Sequence, residues 1–271
     1  MAGVVVITGC SRGIGHDTAL HLAEAGWTVV GTLRSETGRS ELEEAGVEVV
    51  MMDVTQPDDI SRAVAEVVEK HGRIDAFVAN AGRGLFGCFE TLEDSQTRDL
   101  MEVNFFGVLS CAREVLPHLR KSSGRLVVVS SIAGRRAAPG SSLYNASKFA
   151  IEGWAEGLSY EVAPFGVKVV LIEPGPTESG FFEVKWWGRR EVNAYDPLNA
   201  RLEELQASVK DKCVPTEVVV RAIDRALSQA NPPFRIPTGT NTKMQLLAKS
   251  GLPERWWRGL VQKAVRFPDQ D

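Results

Sequence analysis

The 271-residue chain reads as one doubly wound α/β domain, a parallel sheet of about seven strands with helices on both faces. Three observations predict this. Short Val-rich apolar runs alternate with stretches of helical periodicity along most of the chain. A glycine cluster stands between the first such run and the first helix. The composition, 44% hydrophobic and 24% charged, is that of a globular chain long enough for one substantial core.

Residues 3–7 are rich in Val and too short for a helix, so they read as a buried strand ending at Thr8-Gly9. Residues 14–25 carry Ile14, Ala19, Leu22 and Ala23 at helical spacing, and Gly26 closes the helix. A second strand covers 27–33, a short helix 40–45, and a third strand 47–52, which ends at Asp53. In 56–71 the residues Ile60, Val64, Val67 and Val68 share one helical face, Pro57 suits the first turn, and Gly72 is the stop. Residues 74–79 form a fourth strand. The alternation requires right-handed crossovers, hence parallel strands covered on both sides.

A glycine-rich loop, 80–91, leads to a long helix over 95–119 with Pro117 near its end. Strand five is 125–130, a helix spans 144–163, and strand six, 167–172, stops at Pro174-Gly175-Pro176. From 177 to 214 regularity weakens, and Phe181, Phe182, Trp186 and Trp187 lie among charges and glycines. Such a segment is either a substrate lid or disordered, and its aromatic content favours the lid, although these aromatics could also serve as core or subunit contacts. Thr216 is the expected N-cap of a helix over 216–230, residues 234–237 are a candidate seventh strand, and a helical extension over 242–267 is broken at Gly251 and Pro253.

A net charge of -4 with scattered basic residues gives no electrostatic case for nucleic acid. Cys10, Cys88, Cys111 and Cys213 are far apart, and His16, His21, His71 and His118 include no H-E-x-x-H, so no metal site is expected and the thiols are read as reduced. No stretch approaches the roughly 18 to 20 apolar residues of a membrane span. The opening residues lack a basic leader, which makes the cytoplasm the expected compartment. Trp256 and Trp257, flanked by Arg255 and Arg258, are read as oligomer contact or core packing ahead of a seat on a membrane surface.

The chemistry is concentrated in Tyr144-Asn145-Ala146-Ser147-Lys148, with Ser131 upstream. A Tyr and a Lys at i and i+4 share a helix face. A phenol titrates near about 10, and an ammonium beside it is expected to pull that value down. Tyr144 could then exchange a proton with a substrate oxygen that Ser131 holds, which is half of a carbonyl/alcohol interconversion.

The other half needs a hydride carrier. Gly9-Cys10-Ser11-Arg12-Gly13-Ile14-Gly15 follows the first strand and opens its helix, a variant of the dinucleotide turn in which glycines admit a pyrophosphate to the helix N-terminus. At the end of strand two, Gly31-Thr32-Leu33-Arg34-Ser35 has no acid to accept a ribose hydroxyl. Arg34, with Arg12 in the turn, suits a 2'-phosphate, so NADP(H) is expected ahead of NAD(H). The same turn also spells G-x-S-x-G, the nucleophile elbow of serine hydrolases, with Ser11 as nucleophile. That alternative lacks an earlier strand for its oxyanion loop and any histidine after His118.

These motifs together resemble the short-chain dehydrogenases/reductases. The match is made of Thr8-Gly9-x-x-x-Gly13-Ile14-Gly15, Asp53, Asn80-Ala81-Gly82, Asn104, Ser131, Tyr144-x-x-x-Lys148 and Pro174-Gly175, in that order over about the first 180 residues. The resemblance implies a Rossmann-type fold and a set of roles. Gly9, Ser11, Arg12, Gly13, Ile14 and Gly15 would seat the dinucleotide. Asp53 would bond the adenine amino group with Val54 beside it, and Asn80, Ala81 and Gly82 would line the adenosine ribose. Asn104 would hold a water that links Lys148 to solvent.

Ser131 would bond the substrate oxygen and Tyr144 would move the proton. Lys148 would bind the nicotinamide ribose and lower the pKa of Tyr144. Pro174, Gly175, Thr177 and Ser179 would contact the carboxamide; the family usually has Thr where Ser179 stands. The surroundings of Thr32, Tyr144 and Ile172 are similar to the branch containing 17β-hydroxysteroid and retinol dehydrogenases. That implies an apolar small-molecule substrate, touched by Ser131, Tyr144, Phe181, Phe182 and Trp186, and a homodimer or homotetramer built through the two long helices. A protein of this fold that senses nucleotides without turnover is the remaining alternative.

Overall fold

The computed structural model describes residues 3–265 apart from 182, 184, 185 and 211. In chain order the elements are β1 (Val4–Thr8), α1 (Gly13–Glu24), β2 (Thr28–Leu33), α2 (Arg39–Glu44), β3 (Glu48–Met51), α3 (Pro57–His71), β4 (Ala76–Ala79) and β5 (Leu85–Phe86). Then come α4 (Asp94–Met101), α5 (Gly107–Ser122), β6 (Arg125–Val129), α6 (Ser142–Val162), β7 (Lys168–Pro174), β8 (Trp186–Trp187) and α7 (Asp196–Lys210). The chain finishes with α8 (Glu217–Ser228), β9 (Arg235–Thr238), α9 (Thr240–Gly251) and α10 (Glu254–Ala264).

Seven strands form one parallel sheet in the order β3-β2-β1-β4-β6-β7-β9. The strands read as continuous apolar runs because both faces are buried, and the pleat divides their side chains by period two. Val4 and Val6 of β1, Phe77 of β4 and Leu126 of β6 pack with Val64 of α3, Val115 of α5 and Ile151 of α6 on one face. Val5, Ile7, Val78 and Val127 pack with Leu22 of α1 and Ile223 of α8 on the other. Truncating a fully buried residue such as Leu126 to Ala should cost about 2–5 kcal/mol.

From β1 the chain moves outward to β2 and β3, then returns past β1 to β4 and continues the other way. The strand order therefore reverses between β1 and β4, where a crevice opens above the carboxyl ends.

Three expectations are corrected. The helix over 95–119 runs unbroken but is not α-helical throughout: a π-helical turn, Glu102–Phe106, joins α4 to α5. The 177–214 segment is more regular than its sequence suggests, since β8 pairs in parallel with β5 and α7 fills its second half. Thr216 does not cap α8. Its backbone is already helical, and its hydroxyl bonds the carboxylate of Asp17 on α1, tying the two helices on that face.

The C-terminal extension divides at Gly251 and Pro253 as expected, and its residues 266 and 267 lie outside those described. Trp257 is half-buried, whereas Trp256 is exposed, which removes Trp256 from the core. Among the described residues no helix is long and apolar enough to cross a membrane.

Candidate active site

The crevice above the switch point is a cleft of about 850 Å³. Its floor is the glycine turn. Gly9 and Gly13 have φ of 74° and 60°, left-handed conformations that favour glycine. A Cβ on Gly13 would stand 2.3 Å from the Ser179 carbonyl oxygen, and one on Gly15 would stand 2.5 Å from the Gly9 oxygen. Asn80 braces the turn, its side-chain amide donating to the Thr8 and Gly9 carbonyls at 2.9 and 3.2 Å. Thr8 Oγ1 in return accepts the backbone N–H groups of Asn80 and Ala81 at 3.0 and 2.9 Å.

No side chain caps α1. Its first N–H groups and the positive end of its dipole therefore face the cleft as an anion seat, and the turn leaves no Cβ in the way. These residues fit a dinucleotide pyrophosphate.

Toward the edge of the sheet, Arg12 and Arg34 line the same cleft. Arg34 is largely exposed, with its guanidinium 4.0 Å from Asp53 Oδ2. Asp53 Oδ1 is taken by Thr55, accepting from its N–H at 2.9 Å and its hydroxyl at 2.8 Å. Asp53 thus shapes the turn into α3 with one oxygen and faces the cleft and Arg34 with the other. Val54 and Ala81 line the wall between.

Ser131, Tyr144 and Lys148 come together deep in the cleft. Ser131 follows β6 and accepts the Ala133 N–H at 3.1 Å. Tyr144 and Lys148 are one turn apart near the start of α6, as their spacing predicts. Lys148 is buried, and its Nζ donates to the Val129 carbonyl at 3.0 Å, lying 6.0 Å from the centre of the Tyr144 ring.

The expected direction of the Tyr144 shift is not what the geometry produces. Burial pushes the phenol up to about 12, against a smaller opposing effect of its hydrogen bond with Ser131. Burial also brings Lys148 down to about 8, opposed by the charge of Glu152. Both groups lose water, and the ammonium is bonded to the end of β6 instead of the phenol, so desolvation outweighs their mutual attraction.

Asn104 sits in the π-helical turn, 1% exposed. Its Oδ1 accepts the Arg83 N–H and its Nδ2 donates to the Arg83 carbonyl, both at 2.9 Å, with a further bond to Ser147 Oγ at 3.2 Å. A Cβ on Gly82 would stand 3.3 Å from Asn104 Oδ1 and 3.9 Å from Lys148 Nζ. The π-turn thus aims an asparagine at the loop beside Lys148, while Asn104 itself lies behind the cleft wall.

From the last residue of β7 onward, Pro174, Gly175, Thr177 and Ser179 line the roof. Thr177 is buried, and its hydroxyl donates to the Gly175 carbonyl at 3.0 Å. Phe181 stands 5.6 Å from Tyr144, ring centre to ring centre, and Trp186 lies under the guanidinium of Arg83 at 4.3 Å. Both line the cleft; Phe182 lies outside the described residues.

Sequence reasoning missed Phe86, 5.9 Å from Tyr144, together with Arg83 and Arg136 on the cleft wall. Arg83 directly follows Asn80-Ala81-Gly82, which was the available signal. Ser11 lines the cleft but no histidine does among the described residues; the nearest in sequence, His16, contacts Asp17 and Glu41.

Comparison with known proteins identifies the family. The family model described as short chain dehydrogenase matches residues 3–187. The chain is 34% identical over 271 residues to a 3-ketodihydrosphingosine reductase of Bacteroides thetaiotaomicron, covering 97% of each chain. It is 35% identical over 246 residues to mouse 17-beta-hydroxysteroid dehydrogenase type 1, covering 86% of this chain and 67% of the relative. A short-chain dehydrogenase from Streptomyces avermitilis superposes with a TM-score of 0.83 at 33% identity, covering 97% of this chain and 95% of that one. The chain belongs to the short-chain dehydrogenase/reductase family, oxidoreductases that act on CH–OH groups.

Proposed function

We propose that the protein is an NADP(H)-dependent oxidoreductase that interconverts a carbonyl and a secondary alcohol on a largely apolar small molecule. The observation that carries this reading is one cleft containing Ser131, Tyr144 and Lys148 together with the uncapped start of α1 and the cations Arg12 and Arg34. The dinucleotide would be held by Gly9, Ser11, Arg12, Gly13, Ile14 and Gly15 along its phosphates. Arg34 would hold the 2'-phosphate, Asp53, Val54, Asn80, Ala81 and Gly82 the adenosine, and Lys148, Pro174, Gly175, Thr177 and Ser179 the nicotinamide end. Its nicotinamide supplies or accepts the hydride.

The chain's own residues do the rest. A phenol pushed up to about 12 keeps its proton at neutral pH, which favours Tyr144 as the donor to a carbonyl oxygen. Ser131 donates a hydrogen bond to the same oxygen as charge develops on it. Phe86, Phe181 and Trp186 give that end an aromatic surface suited to excluding water from an apolar substrate.

We propose also that residues 177–214 act as the lid over this site, and that two or four copies assemble through α5 and α6. Phe106 precedes α5, Phe149 and Tyr160 lie on α6, and all three are exposed. Light scattering that gave the mass of a monomer would oppose the assembly.

The function is tested by following NADPH and NADH oxidation with a panel of ketones. Turnover with NADPH and an apolar ketone is expected. Tight cofactor binding with no turnover across the panel would point instead to a nucleotide sensor, and labelling of Ser11 by an active-site serine reagent to a hydrolase.

A further inference from the structure

Arg136 lies in the cleft on the side away from Arg12 and Arg34. It follows β6 and the Ser131 turn, whereas Arg34 ends the run of β2. β1 and β4 separate those strands, so three strand spacings, roughly 14 Å, lie between the two columns of the sheet. A dinucleotide seated on the β1 turn with its 2'-phosphate at Arg34 leaves Arg136 on the substrate side, five residues beyond Ser131.

The guanidinium of Arg136 is half-buried, and its Nε is shut off from solvent with no hydrogen-bond partner. Among the described residues it makes no ion pair. Its neighbour Arg135 differs, donating to the buried carboxylate of Glu173 at 2.9 Å. Burial lowers the pKa of Arg136, and no carboxylate offsets that effect. The loop carrying it rests on α7, since a Cβ on Gly140 would stand 2.6 Å from Leu202. Leu202, Leu205 and Val209 of α7, with Gln206 among them, and Val261 of α10 line the same cleft, so the cation shares it with a largely apolar surface. A half-buried guanidinium with no carboxylate partner has its Nη groups available, and an oxyanion can take them with two parallel charge-assisted hydrogen bonds.

We propose that Arg136 receives an oxyanion on the substrate, so that the molecule turned over has an apolar body, a carbonyl or alcohol directed to Ser131 and Tyr144, and a carboxylate or phosphate directed to Arg136. This deepens the oxidoreductase reading and rests on it for the word substrate.

Binding of decanoate, decyl phosphate and uncharged 2-decanone is measured by calorimetry on the NADPH-saturated protein, for wild type, Arg136→Gln and Arg136→Lys. Turnover of 2-decanone and 9-oxodecanoate is measured alongside. In wild type an anion should bind at least about tenfold more tightly than the ketone, the scale of a hydrogen bond to a charged group. Arg136→Gln should abolish that preference while leaving 2-decanone affinity unchanged, and Arg136→Lys should retain part of it. Whichever of decanoate and decyl phosphate binds more tightly identifies the group.

Equal binding of anions and ketone by wild type, or a preference that survives in Arg136→Gln, overturns the proposal. Wild type that reduces 2-decanone with an anion preference indifferent to Arg136 sinks this inference alone. Arg136-dependent anion binding without turnover of either ketone leaves the anion seat standing and removes the oxidoreductase reading.

Discussion

Lys148 Nζ donates to the carbonyl oxygen of Val129 at 3.0 Å, so the ammonium aligned with Tyr144 on α6 is anchored to the last residue of β6. This bond sets the position of the charge relative to the sheet. It also explains why the phenol gains little from it and is governed by burial.

Tyr144→Phe removes the proposed proton donor and keeps the ring that packs on Phe86 and Phe181. Turnover should fall by about 10² to 10⁴-fold, the usual range for loss of a positioned acid. The dissociation constant for NADPH, measured by fluorescence titration, should stay the same. Near-normal kcat in this variant would exclude Tyr144 from the proton transfer.

Lys148 gives the stability of the fold a pH signature. Its folded pKa is about 8 against an ordinary 10.5, so between these values the unfolded chain holds more protons and stability rises with pH. Tyr144 acts oppositely: its folded value is about 12 against 10, so its contribution falls as pH rises above 10. Burial raises the thiols of Cys10 and Cys111 to about 12, which opposes Lys148 over the same range, so the change in urea midpoint from pH 8 to 10 should be less favourable in Lys148→Met than in wild type. Equal slopes for the two proteins would contradict the assignment.

Arg34→Asp replaces the exposed cation at the cleft edge with a carboxylate beside Asp53. KM for NADPH should increase by about 10 to 100-fold, as expected when a hydrogen bond to a charged group is lost, and NADH should become the better cofactor. Unchanged kinetics with NADPH would mean that Arg34 does not read the 2'-phosphate.

Gly13→Ala imposes a side chain on a left-handed residue, a strain of about 1–2 kcal/mol, and sets its Cβ 2.3 Å from the Ser179 oxygen. The turn and the 175–179 loop must then separate. A thermal-shift comparison should show a lower melting temperature and a reduced gain on adding NADPH. Wild-type values in both would show that the contact is not limiting.

The sheet was legible because its strands are buried on both faces and so appear as Val-rich runs, and because Pro57 and Gly72 mark the ends of α3 by local chemistry alone. The pairing of Tyr144 with Lys148 in the candidate site was legible because the two are related by helix periodicity. Other features carried no local signal. The two-residue strands Leu85–Phe86 and Trp186–Trp187 have too little length for a period, and their pairing joins segments remote in sequence. The π-turn at Asn104 keeps the apolar spacing of an ordinary helix. The direction of the Tyr144 shift depends on how much water the assembled cleft removes, a tertiary property that spacing along α6 does not encode. Arg136 became recognisable only once its neighbour Arg135 was seen to have a carboxylate and Arg136 none.

The contact between Gly13 and the Ser179 carbonyl bears on how the protein matures. The first βα turn is made of residues adjacent in sequence, yet its finished shape depends on a loop that emerges only after six strands of the sheet have been synthesised. Contacts of such long sequence separation form slowly. An emerging chain thus acquires its anion-binding floor early but its closed roof late, and nucleotide affinity should report completion of the first six strands.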